Sequence, residues 1–374
     1  MGRVSRWDLV VVGAGPAGSA AALGALRARP SARVLLLDRA DFPRDKSCGD
    51  GVAPHALDEL ARLGVGDLLA DRVPVRRLRL VSPGGQEVAT RMRRPTWVVP
   101  REVLDARLVQ AAVDAGAVLE RRTVRRLDDL DAEVVVGADG ANGVVRRLVG
   151  APRQPGHALA LAVRGYAPSP PGDEPEQAIV MDASGWPAYA WRFDAGDGTS
   201  NVGFGMLLPH LQARGDAPKE YLHRRLVELL PGTEATRLVS HHLPLSSARP
   251  APAHGRVLLA GDALSLINPL TGEGIYYALH SGRLAGQAAV LSPADPGPAY
   301  ARALRAELGR HLRHTTALAR LTRRSGVVDA GVAAAGRSPA AFDALVEVGL
   351  GRGLITAPLV GGMARHVGRR LVRR

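Results

Sequence analysis

The chain is poor in several things, and each shortage closes a class of explanation. Cys48 is its only cysteine, so no disulfide can form within the chain, which fits a reducing cytoplasm. Histidines are not grouped with other ligand types at zinc spacing. His241-His242 is an adjacent pair without partners and reads as a surface strand or loop, so no metal is expected. No apolar run reaches the length of about 18 residues that a membrane span needs. The first residues pass directly into a strand-like run, without a separate apolar segment and cleavage site, so no signal peptide is expected and the expected location is cytoplasmic. Aromatic residues make up only 4% of the chain. Lysine is nearly missing: Lys46 and Lys219 are the only two, so arginine carries the formal charge of +13. With abundant alanine and glycine, that arginine excess matches the codon bias of a high-GC genome. No nucleic-acid-binding motif accompanies the charge, so nucleic acid is not an expected partner.

At 374 residues the chain is long enough for two lobes and a sizeable core. Trp7 to Val12 is a short apolar run with consecutive valines, which suits a buried parallel strand. It leads into Gly13-Ala14-Gly15-Pro16-Ala17-Gly18. Gly13 permits a tight turn, Gly15 lets a pyrophosphate approach the backbone, and Gly18 lets the following helix pack close to the sheet. Ser19 to Arg29, rich in alanine and leucine, reads as that helix, with its N-terminus facing the phosphates. Arg33 to Asp38 reads as the next strand. Asp38, with Arg39 beside it, stands about twenty residues past Gly18, where a carboxylate accepts from ribose hydroxyls and disfavours a 2′-phosphate. This unit predicts a bound dinucleotide without separating NAD from FAD.

Two later pieces narrow the choice. Val134-Val135-Val136-Gly137-Ala138-Asp139-Gly140 reads as another strand ending in a glycine turn. Val257 to Leu259 reads as a third, followed by Gly261-Asp262 and then Asn268-Pro269-Leu270-Thr271-Gly272-Glu273-Gly274. A long apolar helix, Ile275 to Val290, follows and offers a second helix N-terminus to an anion or a carbonyl-rich ring edge. In order and spacing these three pieces resemble the glutathione-reductase-type flavoproteins of the p-hydroxybenzoate hydroxylase group, over most of residues 1–300. The resemblance implies an α/β protein with a Rossmann FAD-binding domain, a mixed or antiparallel β-sheet substrate domain and C-terminal helices. It implies FAD as cofactor. Gly13, Gly15, Pro16, Ala17, Gly18, Asp38, Arg39 and Asp139 then belong to its site, Gly261 and Asp262 contact the ribityl and pyrophosphate, and Pro269, Gly272 and Gly274 lie along the isoalloxazine.

A narrower resemblance rests on Phe42-Pro43-Arg44-Asp45-Lys46-Ser47-Cys48-Gly49-Asp50-Gly51. Its Pro-Arg-x-Lys-x-Cys-Gly form is similar to the geranylgeranyl reductase family, whose members reduce C=C bonds in prenyl chains. That likeness places Cys48 and Gly49 beside the flavin. Tyr189-Ala190-Trp191-Arg192-Phe193 matches the family's Tyr-x-Trp-x-Phe element, which lines the substrate tunnel. Alternation along a strand puts Tyr189, Trp191 and Phe193 on one side. Arg101, in Arg101-Glu102-Val103-Leu104-Asp105, resembles the arginine that reaches the FAD pyrophosphate; a plain helix-start arginine is the other reading. The chain departs from the pattern at Asp194, where a proline is usual, and at Gly143, where many relatives carry serine.

The expected organisation is a discontinuous FAD-binding domain (1–75, 97–155 and 250–295), a β-sheet substrate domain (76–96 and 156–249) and a C-terminal helical cap (296–374). No second Gly-x-Gly-x-x-Gly lies between 150 and 250. The flavin must therefore be reduced from outside, by a transiently bound NAD(P)H or by reduced ferredoxin. Beyond that step two readings stay open. The first is reduction of a C=C bond in an isoprenoid or similar hydrophobic substrate, with Cys48 as the catalytic proton donor and Lys46 expected to lower its pKa. The second is monooxygenation, a hydroxylation or epoxidation in secondary-metabolite tailoring. A flavin-binding scaffold or sensor is the non-enzymatic alternative. Leu359, Met363, Val367 and Leu371 recur at helical spacing after Pro358, opposite Arg365, His366, Arg369, Arg370 and Arg373. They predict a basic amphipathic helix, either a cap or a peripheral contact with the inner face of a membrane.

Overall fold

The computed structural model describes residues 6–172, 174–215, 217–357 and 361. The residues of the expected basic C-terminal helix, from Leu359 to Arg373, lie outside the described residues apart from Gly361. In chain order the strands are β1 (Trp7–Val12), β2 (Val34–Asp38), β3 (Gly51–Val52), β4 (Val75–Val81), β5 (Glu87–Val98), β6 (Val118–Arg121), β7 (Ala132–Gly137), β8 (Leu159–Pro168), β9 (Glu176–Met181), β10 (Ala188–Asp194), β11 (Thr199–Leu207), β12 (Thr236–Pro244), β13 (Ala253–His254) and β14 (Val257–Leu259). The helices are α1 (Pro16–Ala28), α2 (Pro54–Arg62), α3 (Arg101–Asp114), α4 (Val145–Leu148), α5 (Leu208–Gln212), α6 (Pro218–Leu229), α7 (Ile275–Leu291), α8 (Pro296–Leu321), α9 (Ser325–Ala335) and α10 (Pro339–Leu350).

The valine-rich runs build a six-stranded sheet in the order β13-β14-β7-β1-β2-β6, parallel except for β13. Leu9, Val10 and Val11 are fully buried at its centre, as strands covered on both faces require. The order turns back at β1, between β2 and β7. A crevice opens at the carboxyl ends of strands at such a reversal, and here it falls at Gly13 and Asp139. Helix α1 starts at Pro16 rather than at Ser19, because proline lacks only an N–H that the first turn would leave unpaired. α1 packs against α7 with almost no side chain between them. A Cβ at Gly282 would sit 2.1 Å from the Ala17 carbonyl oxygen, and one at Gly286 1.9 Å from that of Ala21.

The second sheet has eight strands, ordered β12-β8-β11-β10-β9-β4-β5-β3. One face carries Val163, Ala190, Val202 and Phe204, covered by Tyr221, Leu222 and Leu226 of α6. The other face looks into the space between the lobes. β3 follows the Cys48 loop directly and pairs with the end of β5, so that loop is anchored in both sheets. α9 and α10 cover β4 and β5, burying Val332 and Phe342 against Leu78, Leu80, Val88 and Met92. No helix among the described residues is long and apolar enough to cross a membrane.

Candidate functional site

A cavity of about 1000 Å³ runs between the two sheets. That is the upper end of what single small-molecule sites enclose, about 300–1,000 Å³. Its walls include Gly13, Gly15, Pro16, Ala17, Asp38, Arg39, Cys48, Gly49, Arg101, Asp139, Asp262, Pro269, Gly272 and Gly274, together with Tyr189, Trp191 and Phe193. Gly18 and Gly261 do not line it; both serve packing. A Cβ at Gly18 would lie 1.7 Å from the Gly13 carbonyl oxygen. Gly261 has φ +58° and its N–H donates to Ser281 Oγ at 2.9 Å.

At the nucleotide end the backbone does the shaping. Gly13 has φ +99°, and a Cβ there would lie 2.5 Å from the Ala138 carbonyl oxygen. Asp38 accepts from Ala14 N at 2.9 Å and Ala40 N at 3.0 Å, which fixes its carboxylate across the turn. Gly15 caps α1 without a side-chain bond to the helix. Its position for a side chain is flanked by guanidinium nitrogens of Arg44 at 3.6 Å and Arg101 at 3.7 Å. Arg101 is 4% exposed and gives Asp105 two 2.7 Å bonds, and Arg44 reaches the same carboxylate at 3.1 Å. Across the turn, Asp139 accepts from Val145 N at 2.9 Å and also from Val144 N, while its second oxygen is buried without a partner. A bare helix N-terminus, a glycine cradle, two guanidinium groups and an orphan carboxylate oxygen fit the pyrophosphate and sugar hydroxyls of FAD.

At the ring end, Lys46 reaches Asp262 at 3.5 Å, linking the Cys48 loop to the late glycine motif. Gly272, at φ +73°, lies 2.9 Å from the Tyr189 hydroxyl at the position of a Cβ, and that hydroxyl donates to Thr271 O at 2.6 Å. The aromatic row stands on β10: Tyr189 to Trp191 is 6.0 Å between ring centroids and Trp191 to Phe193 is 6.4 Å. Its neighbour β11 supplies Gly205 opposite Tyr189 and Gly203 opposite Trp191. A Cβ on Gly203 would fall 2.1 Å from the indole, so glycine there makes room for the ring. Trp191 Nε1 donates to Asn201 Oδ1 at 2.8 Å, and Asn201 Nδ2 donates to Cys48 O at 2.9 Å and Asp50 Oδ2 at 2.8 Å. Tyr166 donates to the same Asp50 oxygen at 2.6 Å. Burial pushes Asp50 up to about 6. This network ties the cysteine loop to the aromatic strand. Nothing in the sequence announced it, because its members are far apart in the chain.

Two expectations need correction. Lys46 does not lower the Cys48 pKa below its ordinary value: burial outweighs the nearby cations and pushes the thiol up. Its ammonium turns to Asp262 instead. His241 is not a surface residue. It lies on β12 beside Ala162 and lines the cavity, where burial, with Lys46 next, pushes it down to about 4. Glu273 carried no assigned role between its two glycines. It lines the cavity, accepts from Tyr276 N at 2.8 Å and is pushed up to about 7 by burial. The sequence carries no local signal for the far end of the cavity. That end is apolar and formed by Leu78, Ile179, Met181, Leu318, Val332 and Val346 of both the sheet and the C-terminal helices.

No established family profile matches the chain. It is 36% identical over 314 residues to a menaquinone reductase of Mycolicibacterium smegmatis, covering 76% of each chain. It is 30% identical over 308 residues to a digeranylgeranylglycerophospholipid reductase of Methanocella arvoryzae, covering 75% of this chain and 77% of the relative. Among solved structures, a geranylgeranyl bacteriochlorophyll reductase-like protein from Thermoplasma acidophilum superposes with a TM-score of 0.78 at 20% identity, over 98% of both chains. A flavin-dependent brominase shares the fold with a TM-score of 0.67 at 17% identity, over 98% of this chain and all of its own. The glycine cradle, the late motif and relatives of this identity over three quarters of both chains converge: the chain belongs to the geranylgeranyl reductase family of FAD-dependent oxidoreductases.

Proposed function

We propose that the protein reduces carbon–carbon double bonds in the polyprenyl chain of a lipid, with FAD recharged by NAD(P)H or reduced ferredoxin. The observation that carries this reading is one continuous cavity, polar at the nucleotide turn, aromatic beside Cys48 and apolar among the C-terminal helices. A long hydrocarbon chain fits such a shape, and a small polar ring does not require it. The names of the relatives, a menaquinone reductase and a digeranylgeranylglycerophospholipid reductase, support a lipid bearing prenyl units.

The N-terminus of α1, with Gly15, Pro16, Ala17, Arg44 and Arg101, would hold the pyrophosphate. Asp38 and Arg39 would hold the adenosine side, Asp139 and Asp262 the sugar and ribityl hydroxyls, and the Pro269–Gly274 segment the ring. When bound, FAD supplies the hydride. Tyr189, Trp191 and Phe193 orient the chain and keep water from the reacting carbons. Cys48 holds its proton because its thiol is buried, and gives it to the alkene carbon opposite the one that takes the hydride. Arg101, held by Asp105, also interacts with the thiol and stabilises the charge left there.

The test is anaerobic. The yellow protein is reduced under argon and mixed with a geranylgeranyl lipid. The yellow colour should return without oxygen, and the lipid should gain the mass of two hydrogens per double bond. Recovery of colour only in air, with an oxygenated product, overturns the reading in favour of monooxygenation.

A further inference from the structure

The buried glycines of the helices divide into two kinds. Gly282 and Gly286 of α7 and Gly24 of α1 are glycines because a Cβ would strike a facing backbone at 2.1, 1.9 and 2.8 Å. Gly331 of α9 is different. It is buried, yet a Cβ built there meets no atom within 4 Å. Its φ is not in the left-handed region either, so neither packing nor backbone requires glycine. Glycine in a helix interior is costly compared with alanine. What Gly331 faces is the apolar end of the cavity, whose wall it forms with Val327, Val328 and Val332 on α9 and with Leu345 and Val346 on α10. The missing side chain is empty space inside the site.

We propose that Gly331 determines how long an apolar chain the site accepts, by leaving room on the α9 wall for the distal end of the substrate. The occupant is the tail of the substrate itself, because the space is continuous with the aromatic row and the late glycine motif. The proposal rests on the lipid-reductase reading above. It adds a residue that never touches the reacting bond but selects among substrates by volume. A side chain at this position excludes methylenes from the apolar wall of the site, and each one excluded weakens binding by about fourfold.

The test uses the FAD-loaded protein and a fluorescent polyene fatty acid, cis-parinaric acid, displaced by the short prenol geraniol or the twice-as-long geranylgeraniol. In Gly331→Phe, geranylgeraniol should displace the probe at least about tenfold less effectively, equivalent to two or so methylenes excluded, while geraniol stays within about twofold of the parent. Gly331→Ala should leave both prenols close to the parent. Gly331→Leu carries the same expectation as Gly331→Phe with less bulk, should the larger ring prevent folding; a retained flavin spectrum shows that each variant is folded. Equal weakening of both prenols, no weakening of either, or a parent protein that binds neither prenol overturns the proposal. Failure of the lipid-reductase reading is a separate result: the parent binds both prenols but reduces no prenyl chain in the anaerobic experiment.

Discussion

At the scale of residues, Cys48 and Glu273 show how burial overrules neighbours. The thiol lies near Lys46 and Arg101, and both favour its ionised form, yet desolvation pushes it above its ordinary 9.0. A protonated thiol can donate, so turnover should not fall as pH rises towards 9 on account of this group. Cys48→Ala should keep the flavin and lose about 10²–10⁴ in turnover, the usual worth of a positioned acid. Steady-state rates beside the flavin absorbance check it, and turnover equal to the parent would make Cys48 a packing residue. Glu273 titrates near 7 in the folded chain, against an ordinary 4.5, because it is buried and meets only backbone N–H groups. Between those values the folded chain holds a proton that the unfolded chain has released. The stability this group contributes is therefore full below about pH 4.5 and is lost as pH rises through 7. Glu273→Gln keeps the bond from Tyr276 N and carries no charge. In its FAD-free form it should exceed the parent by up to about 3 kcal/mol at pH 8 and lose that margin near pH 4, read by urea unfolding at both values. The glycines and acids of the nucleotide turn could be named from sequence because each answers a backbone demand of its own segment. Asp50, Asn201 and Tyr166 could not, since their bonds join three distant segments.

At the scale of elements, the contact between α1 and α7 leaves no room for side chains at its glycines. A Cβ at Gly286 would stand 1.9 Å from a carbonyl oxygen that cannot rotate away. Gly286→Ala should force the helices apart, lower stability by about 1–3 kcal/mol and weaken FAD, because α1 carries the phosphate-facing N-terminus. Thermal unfolding with and without added FAD checks both effects, and an unchanged midpoint would mean that the helices can slide. The order β1, α1, β2 and the alternating strands β8 to β11 were legible, since period and turn residues are local signals. Helix α6 carries a short helical signal, Tyr221, Leu222 and Leu226, inside a region that otherwise reads as strands. His241-His242 reads as a surface strand or loop because an adjacent histidine pair carries no local sign of burial; the place of β12 beside β8 is what turns His241 inward.

At the scale of the whole molecule, two sheets and the helices packed on them leave a cavity between them. The chain's +13 charge decides none of this; many arginines are spent on ion pairs such as Arg164 with Asp45, Arg225 with Asp182 and Arg283 with Glu59. The sequence by itself determined the cofactor class and the fold class. Those depend on short segments whose glycines, acids and apolar runs carry their own conformational requirements. Only the tertiary structure decided what surrounds the cofactor site: the raised thiol, the inward histidine, the apolar extension among α8, α9 and α10, and the open space at Gly331. A cavity is space that packing leaves unfilled, and it belongs to no single segment. Its walls run from Val12 to Leu350, and no period in the sequence records where such distant residues come to face one another.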